Sequence, residues 1–431
     1  MAITTEGEDG AGEADDGEPA PARSGLRSRL LPRLPPVAAS SGFRRLWLGV
    51  TLSAVGTRAT AAANLWLLQD LTGSVFAVAL MSLVETLVLL TVAPFAGTVV
   101  DRVDRRRLLQ AAQSCCLFSS AALAALTFTG HITPLWVYLL GGFVAGAAAF
   151  DTPTRQAMIP SLVPPDRIVD AFAVMVPGLQ FGRLAGPAIA GLIIAVLGAG
   201  GVYGLDAATY VCLVIMVAGI PRRRLPPRPA QRLRSSIAEG ISYVRDRPVI
   251  LQLVSLDFVA SFAAAYRVVL PALCIDVFDV GPAGFGLIAA APAGGAILGA
   301  ATVYRLRAVR RKGVASMGAT MAFGVAVASL GIIPSFGLAV AAAVAIGYFD
   351  AVATTIRHSV VQLETPDHLR GRVSSLYQMV ARGGPALGDV QVGAVASLMG
   401  PSFALGLGGL VALGVPLVLL LRGTTLRTYE R

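Results

Sequence analysis

The sequence predicts an all-α, polytopic membrane protein with twelve transmembrane helices in two pseudo-symmetric six-helix bundles. Three observations lead to this fold class: an apolar composition, basic residues that alternate between loops, and a repeat of half the chain. Of the 431 residues, 55% are hydrophobic and only 14% are charged, whereas a soluble domain carries roughly 25% charged residues. Because a spanning helix needs about 20 apolar residues, the chain accommodates about twelve spans joined by short loops.

The distribution of charge predicts the orientation of these helices. The net charge is +10, but the basic residues fall in every second loop, as the positive-inside bias predicts. They do not form one stripe with interleaved aromatic residues, so we exclude a nucleic-acid partner. The six loops on the other side lack Lys and Arg. The sequence therefore predicts a multi-pass protein of the cell (cytoplasmic) membrane with both termini in the cytoplasm.

The predicted elements divide the chain into five parts. Residues 1–40 form a cytoplasmic tail, acidic at first and then rich in Arg and Pro, that cannot bury enough apolar surface to fold. Residues 41–220 and 249–422 form the two bundles, residues 221–248 a basic cytoplasmic linker, and residues 423–431 a second tail. The predicted helices cover residues 43–68, 75–96, 108–128, 135–150, 169–197, 202–220, 249–277, 285–304, 314–333, 337–357, 373–398 and 402–421.

The linker contains a predicted amphipathic helix. Ser236 and Glu239 have the spacing of a capping box. Ile237, Ile241 and Val244 then recur at i, i+4 and i+7. We expect this short helix to lie on the inner surface of the membrane.

Short motifs of the first half recur in the second half, displaced by roughly 200 residues. The recurring pairs are Phe150-Asp151 and Phe349-Asp350, Arg155 and Arg357, Pro165-Asp166 and Pro366-Asp367, and Gly186-Pro187 and Gly384-Pro385. A nearly constant displacement of about half the chain indicates two homologous bundles.

A charged turn lies between predicted helices 2 and 3. It contains Gly97, Asp101, Arg102, Arg105 and Arg106, and Gly97 permits two helix ends to approach closely. Asp101 is unexpected in a loop that the positive-inside bias makes basic, whereas the arginines alone serve to fix orientation. The spacing G-x-x-x-D-R-x-x-R-R resembles the signature loop of the major facilitator superfamily. The resemblance implies the conformational latch of a transporter.

A glycine motif lies in predicted helix 5. Gly178, Gly182 and Gly186 are four residues apart and share one helix face, which permits close packing, and Pro187 bends the helix. Helix packing alone is the simpler interpretation. The run from Gly182 and Arg183 through Gly186 and Pro187 to Gly191 resembles the exporter motif G-x-x-x-G-P-x-x-G-G of the superfamily, with Ala190 in place of one glycine. The resemblance implies outward transport.

Two further stretches indicate which branch of the superfamily the chain resembles. Residues 43–49 (FRRLWLG) and 150–163 (FDTPTRQAMIPSLV) are similar to the enterobactin-exporter and macrolide-efflux-like branch of the superfamily. The resemblance covers residues 43–422 and implies a midplane cavity and alternating access.

Ionisable residues within the predicted spans are candidates for coupling or cavity lining, because each costs about 2.5–3.5 kcal/mol on insertion scales. They are Arg58, Glu85, Arg183, Asp206, Asp257, Arg267, Arg382 and Asp389. A lone Glu85 near the membrane centre favours its protonated form. We expect it to alternate between this form and an ionised form paired with an arginine. The alternative is a permanent pair of Glu85 with Arg58 or Arg183. Asp257 is the reserve candidate, and Asp206 and Arg267 could instead snorkel to the membrane surface.

The predicted function is secondary active transport, namely proton-coupled efflux of a small amphipathic molecule such as a drug, siderophore or natural product. The alternatives are a facilitator or importer on the same fold, and a transporter-like receptor that does not transport. We find no nucleotide loop, nucleophile–base set or metal cluster in the sequence, so we expect neither an enzyme nor a cofactor or metal site. The expected partners are the substrate, protons and the lipid bilayer, and we expect a monomer.

Overall fold

The computed structural model describes residue 37 and residues 40–220, 241–305, 311–423 and 425–429. These parts of the chain contain twelve long helices: α1 (Ser41–Thr72), α2 (Val75–Arg102), α3 (Arg105–Phe128), α4 (Pro134–Leu162), α5 and α6 (together Ile168–Ala218), α7 (Pro248–Val277), α8 (Gly281–Arg305), α9 (Lys312–Ile332), α10 (Phe336–Glu364), α11 (Asp367–Met399) and α12 (Pro401–Leu421). Gly198 separates α5 (168–197) from α6 (199–218), because its φ of 69° and ψ of −179° are not helical and are readily adopted only by glycine.

Helices α4 and α10 extend further than the sequence predicts. The prediction that α4 ends near residue 150 is wrong, because the helix continues to Leu162. Charged residues and prolines there suggested a loop, but Asp151 and Arg155 form an ion pair of 2.6 Å within the helix. Asp151 also accepts a hydrogen bond from Gln113 at 2.7 Å. Likewise, α10 continues past residue 357 to Glu364. Partners within the same bundle satisfy these polar groups, so the helices need not end where the apolar run ends.

Helix α7 is broken in its middle, although the sequence predicts a continuous span over 249–277. Its regular part, Pro248–Ala263, ends before Ala264. The chain then continues through a 3-10 turn at Arg267–Val269 and further helical turns to Val277. Irregular backbone at membrane depth is tolerated where it lines a cavity, and the break places Arg267 beside one.

Helices α1–α6 and α7–α12 form two bundles. In the first bundle α1 packs against α5 and α6, α3 against α4, and α2 against α4. In the second, α8 packs against α10, α9 against α10 and α12, and α7 against α11. The most extensive contacts between the bundles join α5 with α8 and α2 with α11, and α1 also contacts α7 and α8.

The two ends of the molecule differ in how closely the bundles approach. We call the end that carries the turn at Asp104 the basic end and the end that carries Gly73 the opposite end. In the half near the opposite end, the Phe76 amide donates to Ser397 Oγ at 3.0 Å, and the rings of Trp66 and Phe285 lie 5.4 Å apart. In the basic half, residues 86–93 of α2 and 374–382 of α11 line a cavity of about 400 Å³. The bundles therefore meet toward the opposite end and diverge between α2 and α11 toward the basic end.

Within the described residues, nine helical segments are long and apolar enough to cross a membrane, with Pro165–Ala218 counted once although it contains two helices. Helices α1 and α11 do not meet this criterion, although they have 32 and 33 residues. Both carry polar and ionisable residues along their length.

Several sequence predictions lie outside the described residues. They concern the tail 1–40, except residues 37 and 40, and the linker up to residue 240 with its capping box. Of the predicted amphipathic helix, residues 241–245 are helical. Val244 is buried in the apolar core of the second bundle, and the Tyr243 hydroxyl donates to the Glu364 carbonyl at 2.7 Å. The domain boundaries and the placement of this helix on the membrane surface stay predictions.

Candidate functional site

A cavity of about 440 Å³ lies between the two bundles and is called the central cavity here. Helices α1, α5, α7, α8, α10 and α11 contribute to its wall. Four side chains of charged residue types line it: Arg58, Arg183, Arg267 and Asp350. The remaining wall is mainly apolar, and Gln180 and Tyr266 add polar groups. The predicted candidates Arg58 and Arg267 are thus brought together with Arg183 of the helix-5 motif.

These ionisable groups lie deep within the helices. Counted from the opposite end of the molecule, Arg58 is 14 residues before the end of α1 at Thr72, and Glu85 is 10 residues after the start of α2 at Val75. At 1.5 Å per residue they lie roughly 21 Å and 15 Å from that end. The hydrocarbon core of a bilayer is about 30 Å thick, so both positions are near its middle. Arg267 does not reach the membrane surface, because it faces the central cavity.

The guanidinium groups of the three cavity arginines are not engaged by the described part of the protein. Among the described residues, neither a hydrogen bond nor an ion pair within 4.0 Å is made by the guanidinium of Arg58, Arg183 or Arg267. All three side chains are exposed to the cavity. A cation at this depth is expensive unless water or a ligand solvates it. The arrangement therefore provides free donors to the cavity.

Glu85 lies on α2, outside the wall of the central cavity. In the described parts of the chain, no basic nitrogen lies within 4.0 Å of its carboxylate. Its main electrostatic interactions with cations are with Arg267 of the second bundle and Arg58 of the first. The permanent pairs Glu85–Arg58 and Glu85–Arg183, which the sequence left open, are not formed in this conformation.

A buried ion pair lies in a second cavity of about 300 Å³ inside the second bundle. Asp257 Oδ1 and Arg357 Nη2 are 2.6 Å apart, and both side chains are nearly inaccessible. Arg357 also donates to Thr320 at 2.9 Å and to Thr354 at 3.1 Å. The Thr354 hydroxyl in turn donates to Asp350 at 3.3 Å. This network connects the predicted candidate Asp257 to Asp350, which lines both cavities.

Sequence reasoning missed Arg357 and Asp350 as members of the site. Arg357 was the last residue of the helix predicted over 337–357, and neither it nor Asp350 within that helix was included among the intramembrane candidates. The repeat offered a signal, because Arg155 and Arg357 correspond and both are ion-paired in the structure. The partners differ: Arg155 pairs within its own helix, whereas Arg357 pairs with α7.

The helix-5 motif packs on two different helices. A Cβ atom at Gly182 would lie 2.8 Å from the Ala54 backbone, and one at Gly186 would lie 3.0 Å from the Ala59 amide, so this glycine face lies against α1. A Cβ atom at Gly191 would lie 2.6 Å from the Cα of Gly286 in the second bundle. The motif therefore supports both a contact inside the first bundle and the contact between bundles.

The charged turn between α2 and α3 joins helix ends of the first bundle. Asp104 caps α3, since its carboxylate accepts from the amides of Arg106 and Arg107 at 2.9 and 3.2 Å. Arg105 donates to the Ala157 carbonyl at 3.0 Å, and Arg106 donates to Ile220 at 2.8 Å. Cations near helix C-termini satisfy free carbonyls and interact favourably with the helix dipole. The prediction that the turn begins at Gly97 is wrong, because α2 continues to Arg102 and includes Gly97 and Asp101. The side chain of Asp101 lies outside the described part of the structure, and the latch role stays a prediction.

Asp206 is a structural group and does not snorkel. Its side chain is 1% exposed, and it accepts from Thr60 at 2.8 Å and from Ser120 at 2.9 Å. These contacts join α1, α3 and α6. The hypothesis that it reaches the membrane surface is therefore wrong, because its partners lie inside the bundle.

Two six-helix bundles around a central cavity lined by charged side chains are typical of a membrane transporter of the major facilitator type. The sequence profile of a family described as transmembrane secretion effector matches residues 33–430. The chain belongs to this transmembrane secretion effector family.

Similar proteins agree with this assignment. The enterobactin exporter EntS of Escherichia coli O139:H28 is 25% identical over 335 residues, which cover 78% of this chain and 80% of that protein. EntS of Escherichia fergusonii matches with the same identity and coverage. The resemblance to the enterobactin-exporter branch of the major facilitator superfamily is thereby confirmed.

Solved structures confirm the predicted fold class. A mutant of the peptide transporter POT in complex with sulfate superposes with a TM-score of 0.72 at 15% identity, covering 91% of this chain and 98% of that chain. A bacterial homologue of the iron transporter ferroportin in the inward-facing state superposes with a TM-score of 0.71 at 13% identity, covering 88% and 98%. These similarities concern the fold alone.

Proposed function

We propose that this transporter exports a small amphipathic molecule from the cell by proton-coupled alternating access. The observation that carries the proposal is a central cavity between two bundles, together with Glu85, which interacts electrostatically with Arg267 and Arg58 of that cavity and has no ion-pair partner among the described residues. An acidic group that is not ion-paired can take up and release a proton as its surroundings change. We further propose that the protein works as a monomer, because one chain encloses the whole cavity.

The outward direction rests on the family and on the helix-5 motif. The family description refers to secretion, and the relative EntS is named an exporter. Gly182, Arg183, Gly186, Pro187 and Gly191 retain the exporter motif, and the glycines make close helix contacts. These observations support export over import.

We propose that the basic end lies in the cytoplasm, in accordance with the positive-inside bias, and that the protein spans the cytoplasmic membrane. The bundles meet toward the opposite end and diverge between α2 and α11 toward the basic end. With this orientation the structure corresponds to an inward-facing conformation, in which a cytoplasmic substrate enters the cavity.

We propose that Glu85 is the coupling group. Within the described ranges of the chain it forms no salt bridge, whereas Asp257 is paired with Arg357 at 2.6 Å. Rocking of the bundles would change the distance between Glu85 on α2 and Arg267 on α7, because these helices belong to different bundles. Closer approach of the guanidinium would favour the ionised carboxylate and release the proton. Asp257 is the second candidate, because breaking its pair with Arg357 would similarly require protonation.

The test uses purified protein in proteoliposomes and a compound to which a deletion strain has become hypersensitive. We expect Glu85→Gln to lose accumulation against a gradient while downhill exchange of the compound continues. Asp276→Asn is the matched control and should behave as wild type. Asp276 is an exposed acid in the last turn of α7, at the opposite end of the molecule. Persistent uphill accumulation by Glu85→Gln would exclude Glu85 and direct the same experiment to Asp257.

Two outcomes of the wild-type experiment distinguish the alternative functions. A protein that equilibrates the compound without moving protons is a facilitator. A protein that binds the compound but never moves it across the membrane is a transporter-like receptor. Either result would overturn proton-coupled export.

A further inference from the structure

We propose that the central cavity binds an amphipathic anion and that Arg58, Arg183 and Arg267 hold its acidic group. This proposal rests on the proposed function, because it takes the central cavity as the binding site of the transported molecule and identifies the chemical class of that molecule. The acidic group would be a carboxylate, sulfonate, phosphate or acidic phenol, and the rest of the molecule would be apolar.

The first argument is that three guanidinium groups at membrane depth have no partner among the residues that the structure describes. Each guanidinium carries five N–H donors and remains charged at physiological pH. Within the part of the chain that the structure describes, Arg58, Arg183 and Arg267 form neither hydrogen bonds nor ion pairs. Arg357 shows that a structural arginine in this fold is satisfied differently, because it is 2% exposed and contacts Asp257 and two threonines.

The second argument is the charge of the cavity wall. Its ionisable side chains are three arginines and one carboxylate, Asp350, which leaves an excess of two positive charges. Glu85 acts on Arg58 and Arg267 from outside the wall, and Asp257 is already paired with Arg357. Arg58 experiences repulsion from Arg183 and Arg267, which a bound anion would relieve. A cationic substrate would add to this repulsion instead.

The third argument is the apolar part of the wall. Leu65, Leu270, Phe285, Pro292 and Ile297 line the same cavity. A small hydrophilic anion would leave these side chains without contacts, whereas an amphipathic anion would cover them and bring its acidic group to the arginines. Pockets of about 300–1,000 Å³ hold drug-sized ligands, and this cavity of about 440 Å³ falls in that range. Arginine is suited to the acidic group, because its planar donors bind carboxylates and phosphates in a bidentate manner.

The test compares two dyes that differ by one sulfonate. 1-Anilinonaphthalene-8-sulfonate is the anion, and N-phenyl-1-naphthylamine is the same skeleton without the acidic group. Both fluoresce more strongly in apolar surroundings, so their saturable binding is measured in lipid nanodiscs that hold the full chain, after subtraction of empty nanodiscs. We expect the anion to bind at least tenfold more tightly than the neutral dye.

Single variants then assign the binding to the arginines. Arg58→Gln, Arg183→Gln and Arg267→Gln should each weaken binding of the anion by about ten- to a hundredfold, as expected for loss of a charge-assisted hydrogen bond. Binding of the neutral dye should change little. Arg183→Lys keeps the charge and should retain part of the affinity. Arg422→Gln, which removes an exposed cation at the end of α12, is the control and should leave both affinities unchanged.

The outcomes separate this proposal from the proposed function, because binding is measured without a proton gradient. Equal affinity for both dyes, absence of saturable binding of the anion, or unchanged anion binding in all three Gln variants would overturn the anion proposal. Uphill export restricted to neutral or cationic compounds would overturn it as well and leave proton-coupled export intact. Anion binding by a protein that moves no protons would support the anion proposal and overturn proton-coupled export.

Discussion

Asp257 of α7 and Arg357 of α10 form a buried ion pair, with 2.6 Å between Oδ1 and Nη2. The pair joins two helices of the second bundle, and Asp257 lies between the break in α7 and the basic end of the molecule. Thr320 and Thr354 accept further hydrogen bonds from the guanidinium. Removing one partner of such a buried ion pair strongly destabilises the folded protein, because the other charge stays buried without a partner.

The first prediction concerns the stability that this pair provides. We expect Asp257→Asn to destabilise the protein by about 3–5 kcal/mol, seen as a lower midpoint of thermal unfolding in detergent. Replacing both partners by apolar residues, Asp257→Leu with Arg357→Met, should restore most of the stability. Asp151→Asn is a control for the partly exposed pair with Arg155 and should have a smaller effect. An unchanged midpoint for Asp257→Asn would contradict the prediction.

The second prediction concerns the contact between the bundles. Gly191→Ala would place a Cβ atom 2.6 Å from the Cα of Gly286, so the bundles could no longer approach at this point. We expect transport to fall at least tenfold with normal expression, and Gly286→Ala should have the same effect. At Gly204 an added Cβ meets no atom within 4 Å, so Gly204→Ala should transport as wild type. Normal transport by Gly191→Ala would show that this close approach is not required.

The third prediction concerns the charged turn. Asp101→Asn keeps the shape of the side chain but removes its charge, and we expect strongly reduced transport with expression near normal. Arg106→Gln removes hydrogen bonds to the carbonyls of Ala218 and Ile220, so it should also lower the unfolding midpoint. Arg107 is exposed, and Arg107→Gln is the matched control for loss of one positive charge. Wild-type transport rates from Asp101→Asn would indicate that the turn only sets orientation.

The fourth prediction concerns topology. Single cysteines are introduced into a chain in which Cys115, Cys116, Cys212 and Cys274 have been replaced. Asp70→Cys and His131→Cys occupy exposed positions at the opposite end and should react with a membrane-impermeant thiol reagent added to whole cells. Asp166→Cys, at the exposed basic end, should react only after the cells are opened. Labelling of Asp166→Cys in intact cells would reverse the proposed orientation.

Much of the fold follows from local properties of the sequence. A run of apolar residues is sufficient to specify a membrane helix, because every backbone polar group must be satisfied within the segment. The alternation of basic loops predicts orientation in the same local manner. The glycines at 182 and 186 predicted a close helix contact from their spacing alone, and the structure shows α1 as the partner.

The pairing of intramembrane charges was decided by tertiary structure. Sequence alone predicted that Arg58 and Glu85 lie near the middle of their spans, since this depends only on the count of residues from the helix ends. It left open whether Arg267 reaches the membrane surface, and the structure places this residue at the central cavity beside the break in α7. The sequence did not determine that Asp257 has a partner on α10 while Glu85 and the three cavity arginines have no ion-pair partner among the described residues. Pairing depends on how each helix is rotated and on how the bundles are positioned relative to each other, and both are set by packing between residues distant in the chain.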